Sequence, residues 1–339
     1  NGEDQVNGHQ DNNAEDDALW GATASGEPED DYYEVVDETS KPAVAPLTDE
    51  QKLLCTPLMR GFSLKNKKWL NFFVSAVRDI VWNDQAFEKL VLPNNQKELI
   101  LSFAESQNKP ENTFDDVIAG KGKGIIVLLC GPPGVGKTLT AESIAEEMKV
   151  PLYMMSAGDL GFDFKHIEPK LQTVMEIVTR WKAILLIDEA DIFLEQRSLH
   201  ELERNKLVTI FLRVLEYFEG IMFLTTNRVE TFDPAFQSRI HISLEYPDLS
   251  NESRRQIWQN FLDNINMDIR ITEKQMNELS RLKINGRQIK NILKTSQMLA
   301  RRNKGTVLEY QHIMNVMDLT QHLHKTTEVT EHTRESLYH

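Results

Sequence analysis

An α/β fold, with a parallel sheet covered by helices on both faces and a small helical domain after it, is what this sequence predicts. Three observations carry the prediction. From residue 114 to about 246, short apolar runs alternate with helix-patterned stretches. One of those runs feeds a glycine-rich loop that opens a helix. After residue 250 the helical period continues with no convincing strand.

The elements follow in chain order. The chain opens on Asn1 rather than Met, as expected of a fragment or a processed product. Residues 1–48 carry thirteen acids and one base, so they supply −12 of the net charge of −14. They hold few large apolar side chains. Such a segment cannot bury enough surface to offset its ordering entropy, and a disordered acidic tail is expected. Within it, DYYEVVDE (31–38) is an apolar island, either a tolerated linker patch or a short docking motif.

Residues 49–110 read as a linker, or the end of an upstream region, containing helices. GFSLKNKKWLNFFVSAV suggests a strand or turn feeding an apolar helix. LPNNQKELILSFAES reads as a helix with Leu99, Ile100 and Phe103 on one face. Residues 111–247 hold the runs IIVLLC, PLYMM, AILLI, IMFLTT and IHISL. Runs this short and this apolar suit strands buried on both faces. Residues 248–323 form the helical domain, and 324–339 are expected to fray.

Composition excludes several classes. No run reaches the roughly 18–20 apolar residues that span a bilayer, and no secretory segment opens the chain. Cys55 and Cys130 have no metal spacing, and a reducing compartment, cytoplasmic or nuclear, fits them. Outside the tail the net charge is only −2, which argues against a nucleic-acid machine with a basic face.

The chemistry concentrates at three strand tips. GPPGVGKT (131–138) has the spacing G-x-x-x-x-G-K-T between a strand and a helix. Gly131, Gly134 and Gly136 let the backbone turn tightly, with Pro132, Pro133 and Val135 between them. Successive N–H groups then point inward and meet the positive end of the helix dipole. Lys137 can reach the β- and γ-phosphates of a nucleotide, and Thr138 can hold Mg²⁺; Leu139 follows in the first turn. AILLIDEAD ends a second strand in Asp188 and Glu189. Asp188 is placed to hold the Mg²⁺ shell, and Glu189 to orient or deprotonate a water, which favours hydrolysis over transfer. IMFLTTNR ends a third strand in Asn227, whose amide could touch a γ-phosphate or the attacking water; a plain polar strand end is the alternative. In FDPAFQSRIH, Asp233 and Pro234 start one helical turn and Arg239 sits where that turn meets a strand.

GPPGVGKT, LLIDEAD, TTNRVETFDPAFQSRIH and NGRQIKNIL occur in the order and spacing of an AAA-type ATPase of the AAA+ superfamily. The chain most resembles the fungal AAA ATPases with a long N-terminal region and a single C-terminal ATPase domain, and GFSLKNKKW resembles the end of that upstream region. The resemblance implies a P-loop NTPase sheet of five parallel strands sandwiched by helices, a helical lid, and a homo-oligomer, usually a hexameric ring. It implies ATP and Mg²⁺ at subunit boundaries and work on a protein client. A nucleotide-gated assembly scaffold with slow turnover is the alternative. It makes Lys137 and Thr138 the Walker A pair, Asp188 and Glu189 the Walker B pair and Asn227 the sensor. FDDVIAGKGKG resembles the segment lining the adenine pocket, with Ile118 as the base contact. Arg287 falls where some AAA+ branches carry a lid arginine. Phe162 or Phe164 falls where the family has a pore aromatic, unless it is a core phenylalanine. Arg239 is expected to reach the neighbouring subunit's nucleotide, or else to be salt-bridged within its own.

Overall fold

The computed structural model describes residues 46–106, 124–160, 164–194, 202–228, 233–302 and 307–319. The chain divides into two units, residues 1–57 and 58–339. In the first, Thr48 starts a short helix α1 (Asp49–Leu54): its hydroxyl accepts from Gln51 N while the Gln51 side chain accepts from Thr48 N. That reciprocal box is what a Thr-x-x-Gln start favours. Most of the acidic tail, including DYYEVVDE, lies outside the described residues. So do Ile118, Phe162, the stretch from 320 onward, and the side chains of Phe103 and Phe164.

The second unit opens on a hairpin where an apolar helix was expected. β1 (Leu58–Ser63) pairs antiparallel with β2 (Lys68–Phe73), and only one 3-10 turn, Val74–Ala76, follows. Lys67, at φ 54°, closes the connection. An apolar run this short is ambiguous in period, and tertiary packing decides it. Phe62 sets its ring among Trp69, Tyr153 and Trp181, at centroid distances of 5.6, 6.4 and 5.2 Å. Lys67 Nζ also pairs with Asp159 at 2.5 Å, which holds the Asp159 carboxyl below its ordinary range. α2 (Asn94–Ser106) is helical as expected. Ile100 is buried but Leu99 is exposed, because neighbours on a helix point about 100° apart and cannot share the buried centre of one face.

Next come β3 (Ile125–Cys130), α3 (Lys137–Met148), β4 (Leu152–Ser156), α4 (Phe164–Arg180), β5 (Ile184–Asp188), α5 (Asp191–Leu194), α6 (Leu202–Glu216), β6 (Ile221–Thr226), α7 (Pro234–Gln237) and β7 (Ile242–Glu245). The strands form one sheet in the order β4-β5-β6-β3-β7, every pair parallel. All six residues of β3 and of β6 are buried. Alternation splits them between two cores. Ile126 and Leu128 pack with Leu171 and Val178 of α4 and Phe211 of α6. Ile125, Val127 and Leu129 pack with Ala141 and Ile144 of α3 and Ile100 of α2. Covered on both faces, the sheet can use apolar residues at every position of a central strand. Because all strands run the same way, the segments leaving β3, β5 and β6 emerge side by side at the carboxyl edge.

A third core belongs to the lid. α8 (Asn251–Asp263), α9 (Glu273–Arg281), α10 (Gly286–Arg302) and a final helix over 310–319 bury Trp258, Leu279, Ile289 and Ile313. The expectation that this region has no strand is corrected: β8 (Asp268–Arg270) and β9 (Val307–Glu309) pair in parallel. Three residues are too few to show an alternating period.

Candidate nucleotide site

The loop after β3 is shaped by its glycines. Gly131 stands at φ 140°, and a Cβ there would lie 2.3 Å from the Tyr246 carbonyl oxygen. Gly134 stands at φ 76°, where a Cβ would run into the Asn285 side chain of the lid. At that point the lid touches the loop directly: Gly286 N donates to Gly134 O at 2.9 Å. No side chain caps the start of α3, which leaves its first N–H groups without a side-chain acceptor, the arrangement that suits an anion.

Lys137 is 7% exposed, and its ammonium donates to Gly131 O at 2.7 Å, Pro132 O at 2.7 Å and Asn227 Oδ1 at 2.9 Å. All three partners are uncharged. Burial pushes its pKa down, and Asp188 pulls it back up. A buried cation with neutral partners is costly, and an anion in the same place removes that cost.

The carboxylates stand at the tip of β5, with β6 between it and β3. Thr138 Oγ1 donates to Asp188 Oδ1 at 3.1 Å, and Thr225 Oγ1 donates to the same oxygen. Glu189 follows on the exposed side at φ 55°. On β6, Thr226 Oγ1 donates to Asp191 and accepts from Arg228 N, which fixes the tip that carries Asn227.

Lys137, Thr138, Asp188, Glu189 and Asn227 meet in a cleft of about 460 Å³ between the sheet edge and the lid. Of the residues expected from the sequence, Pro133, Gly134, Val135, Gly136, Lys137, Thr138, Leu139, Asp188, Glu189, Asn227 and Arg287 line it. Gly131 and Pro132 lend it their carbonyls through Lys137. Arg239 does not line it. Its guanidinium bonds Glu216 of the same chain and donates to Ala235 O at 2.9 Å. Phe164 begins α4.

A model of the AAA family (ATPase family associated with various cellular activities) matches residues 127–248, and a model of the fungal AAA+ ATPase lid domain matches 249–334. The chain belongs to the AAA family of ATPases. Fidgetin-like protein 1 of Caenorhabditis elegans is 36% identical over 156 residues, 42% of this chain and 26% of that protein. Spastin of Dictyostelium discoideum is 32% identical over 195 residues, 53% of this chain and 28% of that protein. The ATP-dependent zinc metalloprotease FtsH of Lachnoclostridium phytofermentans is 27% identical over 275 residues, 76% of this chain and 44% of that protein. The chain spans about a quarter to a half of the length of the curated relatives it matches.

Sequence reasoning missed one wall of this AAA cleft. Ala86, Leu90 and Val91 line it from the segment before α2, facing Ile257 and Phe261 of α8. Asn260 Nδ2 donates to Lys89 O at 2.7 Å, and Lys89 Nζ to Asn264 Oδ1 at 2.8 Å, so that segment is tied to the lid. The available signal was VLP at 91–93: an apolar pair ahead of a proline that starts a helix. Among the described residues no cluster of His, Cys, Asp or Glu could hold a metal by itself, and no helix is long and apolar enough to cross a membrane.

Proposed function

We propose that this AAA chain binds Mg²⁺ and ATP in the cleft, hydrolyses ATP, and works in a hexameric ring that remodels or translocates a protein client. The observation that carries this reading is Lys137: a buried ammonium with three uncharged partners, inside a glycine loop, beside Asp188 and Glu189. A polyphosphate supplies the anion that such a site favours. The donor set also fits a hard cation, since Thr138 Oγ1 and Asp188 are oxygen groups 3.1 Å apart. Bound there, Mg²⁺ would neutralise charge on the β- and γ-phosphates. Lys137 holds those phosphates, Glu189 orients the water and takes its proton, and Asn227 fixes the γ-phosphate or that water. Arg287 adds a lid cation. Leu90, Val91, Ile257 and Phe261 offer the apolar walls that a base needs. The relatives named as fidgetin-like protein 1, spastin and FtsH support the ring and client part of the proposal by family alone.

Slow, nucleotide-gated assembly is the second reading, and one observation favours it: Arg239 is held by Glu216 of its own chain. Two variants test the main reading. Lys137→Ala is expected to abolish binding of a fluorescent ATP analogue. Glu189→Gln is expected to keep binding and lose about two to four decades of turnover, the usual worth of a general base. Equal loss of binding in both variants would contradict the roles, and unchanged turnover in Glu189→Gln would favour the assembly reading.

A further inference from the structure

Glu189 occupies the left-handed region at φ 55°, which its β-carbon disfavours. A residue stays there only where its surroundings hold it. Its surroundings here converge on Thr225, which is 2% exposed at the end of β6. Glu189 N donates to Thr225 Oγ1 at 3.0 Å. Ala190 N donates to Thr225 O at 2.8 Å. The same hydroxyl spends its own proton on Asp188 Oδ1, the oxygen that also accepts from Thr138. Regular pairing of β5 with β6 ends at Ile187 and Leu224. The next residue of β6, Thr225, still pairs with Leu129 of β3, but on its β5 side it grips the turn.

We infer that Thr225 is a positioning residue, a clamp whose hydroxyl and carbonyl set the Asp188–Glu189–Ala190 turn and so aim both carboxylates into the cleft. The inference rests on the proposed roles of Asp188 and Glu189 in ATP hydrolysis. A single hydroxyl that accepts from one residue and donates to the residue before it couples the two. If Asp188 shifts, Glu189 shifts with it. Misplacement on this scale is costly, because a reacting group about 1 Å out of place can lose roughly 10²-fold in rate.

The test is Thr225→Val, nearly the same in shape but without the hydroxyl, with Thr225→Ser as the rescue. In Thr225→Val the Glu189 amide loses its acceptor, so its hydrogen exchange is expected to rise while the amides of β3 stay protected. ADP binding without Mg²⁺ is expected to stay as in the wild type, since Lys137 and the loop are untouched. The Mg²⁺ concentration needed for half-maximal turnover is expected to rise, and turnover to fall by about 10²-fold. Thr225→Ser keeps the hydroxyl and is expected to restore the exchange pattern and most of the rate. Should the valine form fail to fold, Thr225→Ala removes the same hydroxyl and takes its place. Unchanged exchange at Glu189 together with unchanged turnover would overturn the clamp and leave Thr225 a packing residue. If the wild type itself hydrolyses nothing, the hydrolytic reading falls, and the exchange measurement still decides whether Thr225 holds the turn.

Discussion

Single residues in this chain do work that depends on where the backbone brings their partners. His241 shows it away from the cleft. Its Nδ1 accepts the N–H of Ile126 at 3.1 Å, linking the segment before β7 to β3. Partial desolvation holds its pKa below the ordinary 6.5. The folded chain therefore binds that proton less tightly than the unfolded chain does. The stabilising contribution is full above the ordinary value and is lost as pH falls through the lowered one. The melting temperature is expected to fall from pH ~7.5 to ~5, and to fall less steeply in His241→Gln, which has no proton to gain there. Equal slopes in the two proteins would remove His241 from the account.

Among the elements, α10 shows how a helix start can serve two purposes. Gln288 N donates to Asn285 Oδ1 at 2.9 Å, and Asn285 N donates to Gln288 Oε1 at 2.8 Å. The box satisfies two helix-end donors and leaves Gly286 N to reach Gly134 O in the phosphate loop. Asn285→Ala is expected to cost about 1 kcal/mol of stability, the usual worth of such a cap. Chemical denaturation measures it, and Asn285→Ser, which can still cap, is expected to lie close to the wild type. An alanine variant as stable as the wild type would show that the box contributes nothing. The hairpin of β1 and β2 makes the complementary point. Its apolar run fits the helical period as well as the strand period, because a few residues satisfy both. The ring cluster around Phe62 selects the strand.

For the whole molecule the telling residue is Arg239. α7 starts as its sequence predicts, with the Asp233 side chain accepting from Ala235 N at 2.9 Å and Pro234 in the first position. The arginine that follows lies outside the cleft of its own chain and is held by Glu216. We propose that in a ring the guanidinium leaves Glu216 for the γ-phosphate bound by the neighbouring subunit, where such a charge is worth up to about 10³–10⁵ in rate in other NTPases. Arg239→Ala and Lys137→Ala subunits, each inactive alone, are expected to recover some hydrolysis when mixed. In mixed rings an intact pocket can meet an intact arginine. Co-assembly without recovery would leave Arg239 acting within its own chain.

The sequence by itself determined the five strands of the parallel sheet, the phosphate loop and the acids at the tip of β5. Those features rest on local rules: apolar runs long enough to be strands, glycines where the backbone must turn, and acids at a strand tip. The parallel order β4-β5-β6-β3-β7 then brings Lys137, Asp188 and Asn227 to one edge. Only the tertiary structure decided the rest. Thr225 reads as a buried strand residue until β5 is set beside it. Leu90, Val91 and Phe261 face one cleft although about 170 residues separate them along the chain, and no local period encodes such a meeting. The engagement of Arg239 by Glu216 depends on how α7 packs near the end of α6. Propensity and spacing act over a few residues. The choice among long-range contacts is made by packing, where every side chain must fit its neighbours at once.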